Sequence, residues 1–371
     1  MSTQSFELIF HGTGCSSGVP NVTCLTSKPV TCETCGLAAQ SSGWKNKRRN
    51  TGAIIRTRSA TGSERVIVID VGKTFLAAAL DLFPRYDLRQ IDAVLLTHGH
   101  ADAINGLDDL RSTFISGHLC SLLKFAGGWT LGELRIQDHI DVYLSEATMS
   151  DVRRGFPYLV SKEYATGSGH IPQFKWHIIE AHKPLRLDGL DFDIIPVDVY
   201  HGNLPTPRHT SLSDPGAIQA PDPYLCFGFI FGTLMVYMSD VSGIPDRTWN
   251  TIEALGGSGP HPYQIFAVDC LRLTRLVAHF GVKDAIDAAI RLNAYKTCLF
   301  GFGHETPHDI WELIARNIGG YELESVRPSA QKALDRVSEL GVQRKQGLEI
   351  GPVYDGERIM VIDGILCERE N

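Results

Sequence analysis

Long apolar runs are scarce in this 371-residue chain. The charge-free run YLCFGFIFGTLMVYMS, residues 224–239, falls short of the ~20 residues that a membrane-crossing helix needs. Its β-branched and aromatic residues, interrupted by Gly232 and Thr233, predict two buried strands joined by a turn instead. The opening MSTQSFELIF has no basic stretch followed by an apolar core, so no secretory signal is expected and the chain reads as cytoplasmic, with no membrane partner. Excess positive charge is also lacking. Against 35 Lys and Arg stand 42 Asp and Glu, a net charge of −7, which argues against nucleic acid as a partner. Repeats, low-complexity tracts and interdomain linkers are absent. One domain is therefore expected over 1–371, with insertions near 116–138 and 203–223 and a C-terminal extension from about 321. A disulfide framework is not expected either. Nine cysteines are an odd number, and Cys15, Cys24, Cys32 and Cys35 crowd the first forty residues, a distribution that favours metal binding in a non-secreted chain.

What is present is an alternation of short apolar runs with helical patterns. VIVID (66–70), IDAVLLTH (91–98), HIDVYLS (139–145), DFDIIPVDVY (191–200) and IFAVDC (265–270) read as buried strands, with Pro196 marking an edge or bulge. Helical periodicity runs through TFLAAALDLF (74–83), VKDAIDAAIRL (282–292), HDIWELIARNI (308–318) and SAQKALDRVSEL (329–340). This mixture predicts an α/β protein with sheets covered by helices.

The chemistry concentrates in T-H-G-H-A-D. Just past a strand end, residues two apart face one side, so His98, His100 and Asp102 can converge on one point. Two imidazoles and a carboxylate suit Zn, Fe or Mn. A lone histidine is more often an ordinary core or surface residue, but three candidate ligands at even spacing favour metal. Three further apolar strands end the same way, delivering His201, Asp240 and His304. Each has a bland reading taken singly, Asp240 as a helix N-cap for example. Together they repeat the arrangement by which α/β enzymes gather ligands at strand carboxyl ends.

The order HxHxD, His, Asp, His resembles the metallo-β-lactamase superfamily, with support from HGTGCSSGVP (11–20), CETC (32–35), KNKRRNTGAII (45–55), GLDDLR (106–111) and YDG (354–356). The likeness is to the branch that includes the phosphoribosyl 1,2-cyclic phosphate phosphodiesterase of phosphonate breakdown. It implies an αββα sandwich of two mixed sheets with the site at one sheet edge. It further implies that His98, His100 and His201 hold a first ion, that Asp102 and His304 hold a second, and that Asp240 bridges them. Ala103 stands where such proteins usually carry another histidine, so the second ion is expected to bind more weakly. Zn or Mn would fill one or both positions.

CxxC is a usual half-site of structural zinc. By the same resemblance, Cys24, Cys32 and Cys35 would hold such a zinc, with His308 as fourth ligand. Asp102 and Asp240 are expected to orient the nucleophile and His279 to act as general acid, with helix packing the alternative for His279. Arg111 and Arg272 are expected to meet a phosphate, and Arg48 and Arg49 are further candidates. The favoured reading is a metal-dependent hydrolase, a phosphodiesterase of small cyclic or nucleotide-like diesters. The alternatives are a hydrolase of thioesters or other carboxyl derivatives and a non-catalytic metal-binding scaffold. The oligomeric state is left open, a homodimer included.

Overall fold

A computed structural model describes residues 4–110, 129–130, 136–164, 173–204 and 222–367. Arg111 and most of both expected insertions lie outside them. The strands are β1 (Ser5–Gly12), β2 (Gly52–Arg58), β3 (Glu64–Ile69), β4 (Ala93–Leu95), β5 (Ile140–Leu144), β6 (Phe174–Ile178), β7 (Ile194–Asn203), β8 (Pro223–Phe231), β9 (Met235–Met238), β10 (Ile265–Asp269), β11 (Lys296–Phe300), β12 (Ile350–Pro352), β13 (Arg358–Ile362) and β14 (Ile365–Cys367). They form an eight-stranded sheet, β14-β13-β1-β2-β3-β4-β5-β6, and a six-stranded sheet, β12-β11-β10-β9-β8-β7. Each sheet is mixed: β3 through β6 and β9 through β12 run parallel, and the remaining pairs antiparallel.

Alternation along the strands sorts the side chains into layers. Phe6, Leu8 and Phe10 of β1 and Ile67 and Ile69 of β3 join Phe229, Tyr237 and Phe300 between the two sheets. Ile9, Val66 and Val68 point the other way, under the helix Phe75–Arg85. The outer face of the second sheet is covered by the helices Val282–Leu292, His308–Ile318 and Pro328–Glu339, as their periodicity predicts. The result is the expected αββα sandwich. Pro196 sits in β7, an edge strand, where its missing N–H costs no ladder bond. The 224–239 run is two strands, with Gly232 at φ 49° in the turn between them. The segment from about 321 is integral to the sheets, since β12 flanks β11 and β13 flanks β1. Among the described residues no helix is long and apolar enough to cross a membrane.

The layer between the sheets holds the strand ends in register. Phe300 is fully buried there, 5.6 Å from Phe10 and 5.3 Å from Tyr237 by ring centroids. Phe300→Ala is expected to cost about 3–5 kcal/mol, read as a lower urea midpoint.

Candidate metal centre

The parallel strands deliver their carboxyl ends to one edge of the sandwich. β4 leads into Thr97, His98 and His100, β7 carries His201, β9 leads into Asp240, and β10 ends at Asp269. The two sheets are tied at this edge by the Phe227 N–H, which donates to the Thr97 carbonyl over 2.9 Å. One ring nitrogen from each of His98, His100 and His201 lies within 4.8 Å of the others. His98 and His201 are buried, while His100 is exposed and stacks on Tyr224 at 5.2 Å.

The tautomers follow from the partners. Thr97 Oγ1 donates to Asp70 Oδ2 over 2.7 Å, and therefore accepts from His98 Nδ1 at 2.8 Å. That leaves His98 Nε2 with a lone pair, buried and without a hydrogen-bond partner. Burial holds the His98 pKa down at about 3, so the ring is neutral. His201 Nδ1 donates to the Ala278 carbonyl at 2.9 Å, which likewise frees Nε2. Such outer partners fix ring orientation at metal sites. An orphaned buried nitrogen among converging imidazoles fits a divalent ion, and among the described residues nothing else satisfies it.

Beside this trio, His201, Asp240 and His279 form a second group with ligand atoms within 4.8 Å. His279 Nδ1 donates to Asp269 Oδ2 at 2.8 Å, and Nε2 lies 4.0 Å from Asp240 Oδ1. Burial alone would lower the His279 pKa, but the Asp269 charge and hydrogen bond outweigh it and raise the value to about 9. Asp240 takes φ 53°, which turns the chain sharply at the end of β9. Asp102 is half-buried in the first turn of the short helix Ala101–Ile104 and belongs to no such group of three among the described residues. Gly72 is required here: a Cβ on it would lie 1.8 Å from the Asp102 carbonyl oxygen, so the turn after β3 and the HxHxD segment touch backbone to backbone.

Two expected positions are corrected. His304 is not with Asp240. Its Nδ1 lies 3.4 Å from Cys24 Sγ and 3.5 Å from Cys32 Sγ, and these three residues with Cys35 form one cluster of ligand atoms. His308, expected as the fourth member of that cluster, pairs its Nε2 with Glu312 at 3.2 Å one helical turn along. The physical reason is the loop after β11. Gly301 at φ 80° and the bridge between Gly14 and Phe302 swing residues 302–304 against the N-terminal loop, while His308 already begins the next helix. Tetrahedral zinc with bonds of about 2.3 Å to sulfur and about 2.05 Å to nitrogen needs S–N separations of roughly 3.6 Å, close to the 3.4 and 3.5 Å found.

Arg48 stitches the same loops. Buried at 2% exposure, it donates to the carbonyls of Gly303 and Thr306 on either side of His304 and stacks over Phe302. It is thus unavailable to a phosphate. Arg49 is tied to Asp81 at 3.0 Å. Arg272 keeps a buried Nε without a hydrogen-bond partner, and its Nη1 is 3.9 Å from Glu305. Three supporting residues were missed by sequence reasoning: Asp70, Asp269 and Tyr224. The first two end or follow the apolar strands VIVID and IFAVDC, a signal identical to the one that marked Asp240. Tyr224 carried no such signal.

The beta-lactamase superfamily domain matches residues 65–302, well over half of the chain. The chain belongs to this superfamily. Its metallo-β-lactamase fold is a hydrolase fold that typically binds divalent metals. Among solved structures, a diphosphatase of the PhnP family aligns over 95% of this chain and 96% of its own, at 22% identity and a TM-score of 0.60. Zn(2+)-bound PqqB from Methylobacterium extorquens aligns over 95% and 99%, at 12% identity and a TM-score of 0.57. An octanoyltransferase of Porphyromonas gingivalis is 29% identical over 197 residues, which take in 53% of this chain but only 31% of that protein's length.

Loss of the Arg48 clamp is expected to loosen the Cys-His cluster. Arg48→Met should cost about 3 kcal/mol, because its hydrogen bonds are charge-assisted. It should also speed amide hydrogen exchange in residues 301–306, and unchanged exchange would remove Arg48 from this role.

Proposed function

We propose that this protein is a metal-dependent hydrolase of small phosphodiesters. In this reading His98, His100 and His201 hold a Zn or Mn ion beside Asp240, and Cys24, Cys32, Cys35 and His304 hold a structural zinc. The observation that carries it is the unpartnered, buried Nε2 of His98 facing two further imidazoles. A bound divalent ion supplies Lewis-acid activation of water near neutral pH. Asp240 accepts a hydrogen bond from that water and sets its line of attack. His279, held at Nδ1 by Asp269, presents Nε2–H to the leaving oxygen and gives up its proton as the ester bond breaks. Arg272, whose Nη1 lies 3.9 Å from Glu305, meets the non-bridging oxygens. The likeness in fold to a diphosphatase supports phosphorus over carbon as the atom attacked.

A second reading, hydrolysis of an acyl thioester, draws on the partial match to the octanoyltransferase. A thiolate leaves with far less help from an acid than an alkoxide does, so His279 separates the two readings. The full chain loaded with Mn or Zn is expected to hydrolyse bis(4-nitrophenyl) phosphate, and His98→Ala to lower kcat/KM at least 100-fold. His279→Gln should lower kcat more for alkyl than for nitrophenyl diesters. Turnover of octanoyl thioesters without diester hydrolysis would replace the first reading by the second.

A further inference from the structure

We infer that the catalytic centre takes a single metal ion, because the side chains that would hold a second one are committed elsewhere in the fold. The inference rests on the proposal that His98, His100 and His201 bind metal, and asks how many ions they and their neighbours can serve.

Resemblance to the superfamily assigns a second ion to Asp102, His304 and a bridging Asp240, with a histidine at position 103. His304 is spent: its Nδ1 is within 3.5 Å of two thiols, and Arg48 pins the carbonyls on both sides of it. Bringing it back to Asp240 would break the Cys-His cluster and unpair a buried guanidinium. Position 103 offers only a methyl group, 1% exposed and packed in the apolar layer with Val71, Phe75 and Ile104. Asp102 has no two ligand-type neighbours within reach among the described residues.

The remaining group, His201, Asp240 and His279, competes with the first. His201 donates through Nδ1 to Ala278 and has one lone pair left. A neutral imidazole gives that pair to one ion. Once His201 completes the trio with His98 and His100, only Asp240 and His279 of this group remain for a second ion among the described residues. Catalytic zinc sites have three protein ligands, and two leave the position short.

The full chain, purified without chelators and saturated with Mn(2+), tests this by electron paramagnetic resonance and elemental analysis. One slowly exchanging Mn(2+) per chain with the six-line signal of an isolated ion, lost in His98→Ala, is the expected result, beside one cysteine-bound zinc. Two Mn(2+) per chain with an exchange-coupled spectrum would overturn the one-ion inference while keeping the hydrolase proposal. No bound Mn(2+) or Zn(2+) beyond the cysteine-bound ion, in wild type and His98→Ala alike, would overturn both. The wild-type spectrum decides the count without any variant, so a poorly folding variant leaves the test intact.

Discussion

An imidazole that binds metal offers one lone pair, and this chain commits the other nitrogen of His98 and His201 to a hydrogen bond, with Thr97 and the Ala278 carbonyl respectively, while Asp269 holds Nδ1 of His279. Everything at the strand ends depends on that allocation. It fixes which nitrogen faces the pocket, and it limits how many ions the cluster can serve. The same rule explains why His304 matters away from the pocket. Its Nδ1 faces the thiols of Cys24 and Cys32, and so fastens the N-terminal loop to the turn after β11.

The allocation is a product of the fold. β4 belongs to one sheet and β7, β9 and β10 to the other, so the site exists only where the two sheets meet. The apolar layer between them, with Phe10, Tyr237 and Phe300 fully buried, sets their spacing. Buried polar groups beneath the pocket, Asp70 with Thr97 and Asp269 with Val241, then orient the rings from below. Burial pushes both carboxyls up from their usual range, which marks how far the pocket floor is desolvated.

Much of this was legible in the residues. Apolar runs of strand length ending in His or Asp located His98, His201 and Asp240, and 3.6-residue periodicity located Val282–Leu292 and His308–Ile318 to the residue. What sequence could not assign was allegiance. His304 and His308 are four residues apart, and both follow an apolar strand. Which one reaches the cysteines depends on the left-handed turn at Gly301 and on the pairing of Gly14 with Phe302, contacts that span nearly the whole chain. Asp70 and Asp269 sat in plain view at strand ends, yet nothing local separates a carboxylate that faces a metal from one that faces a ligand's back nitrogen.

Anomalous diffraction at the zinc edge, on crystals of the full chain grown with zinc, tests the account most directly. It predicts two peaks per chain: one inside Cys24, Cys32, Cys35 and His304, and one bounded by His98, His100 and His201. A third peak between Asp240 and His279, or a peak at the active site ligated by His304, would contradict it.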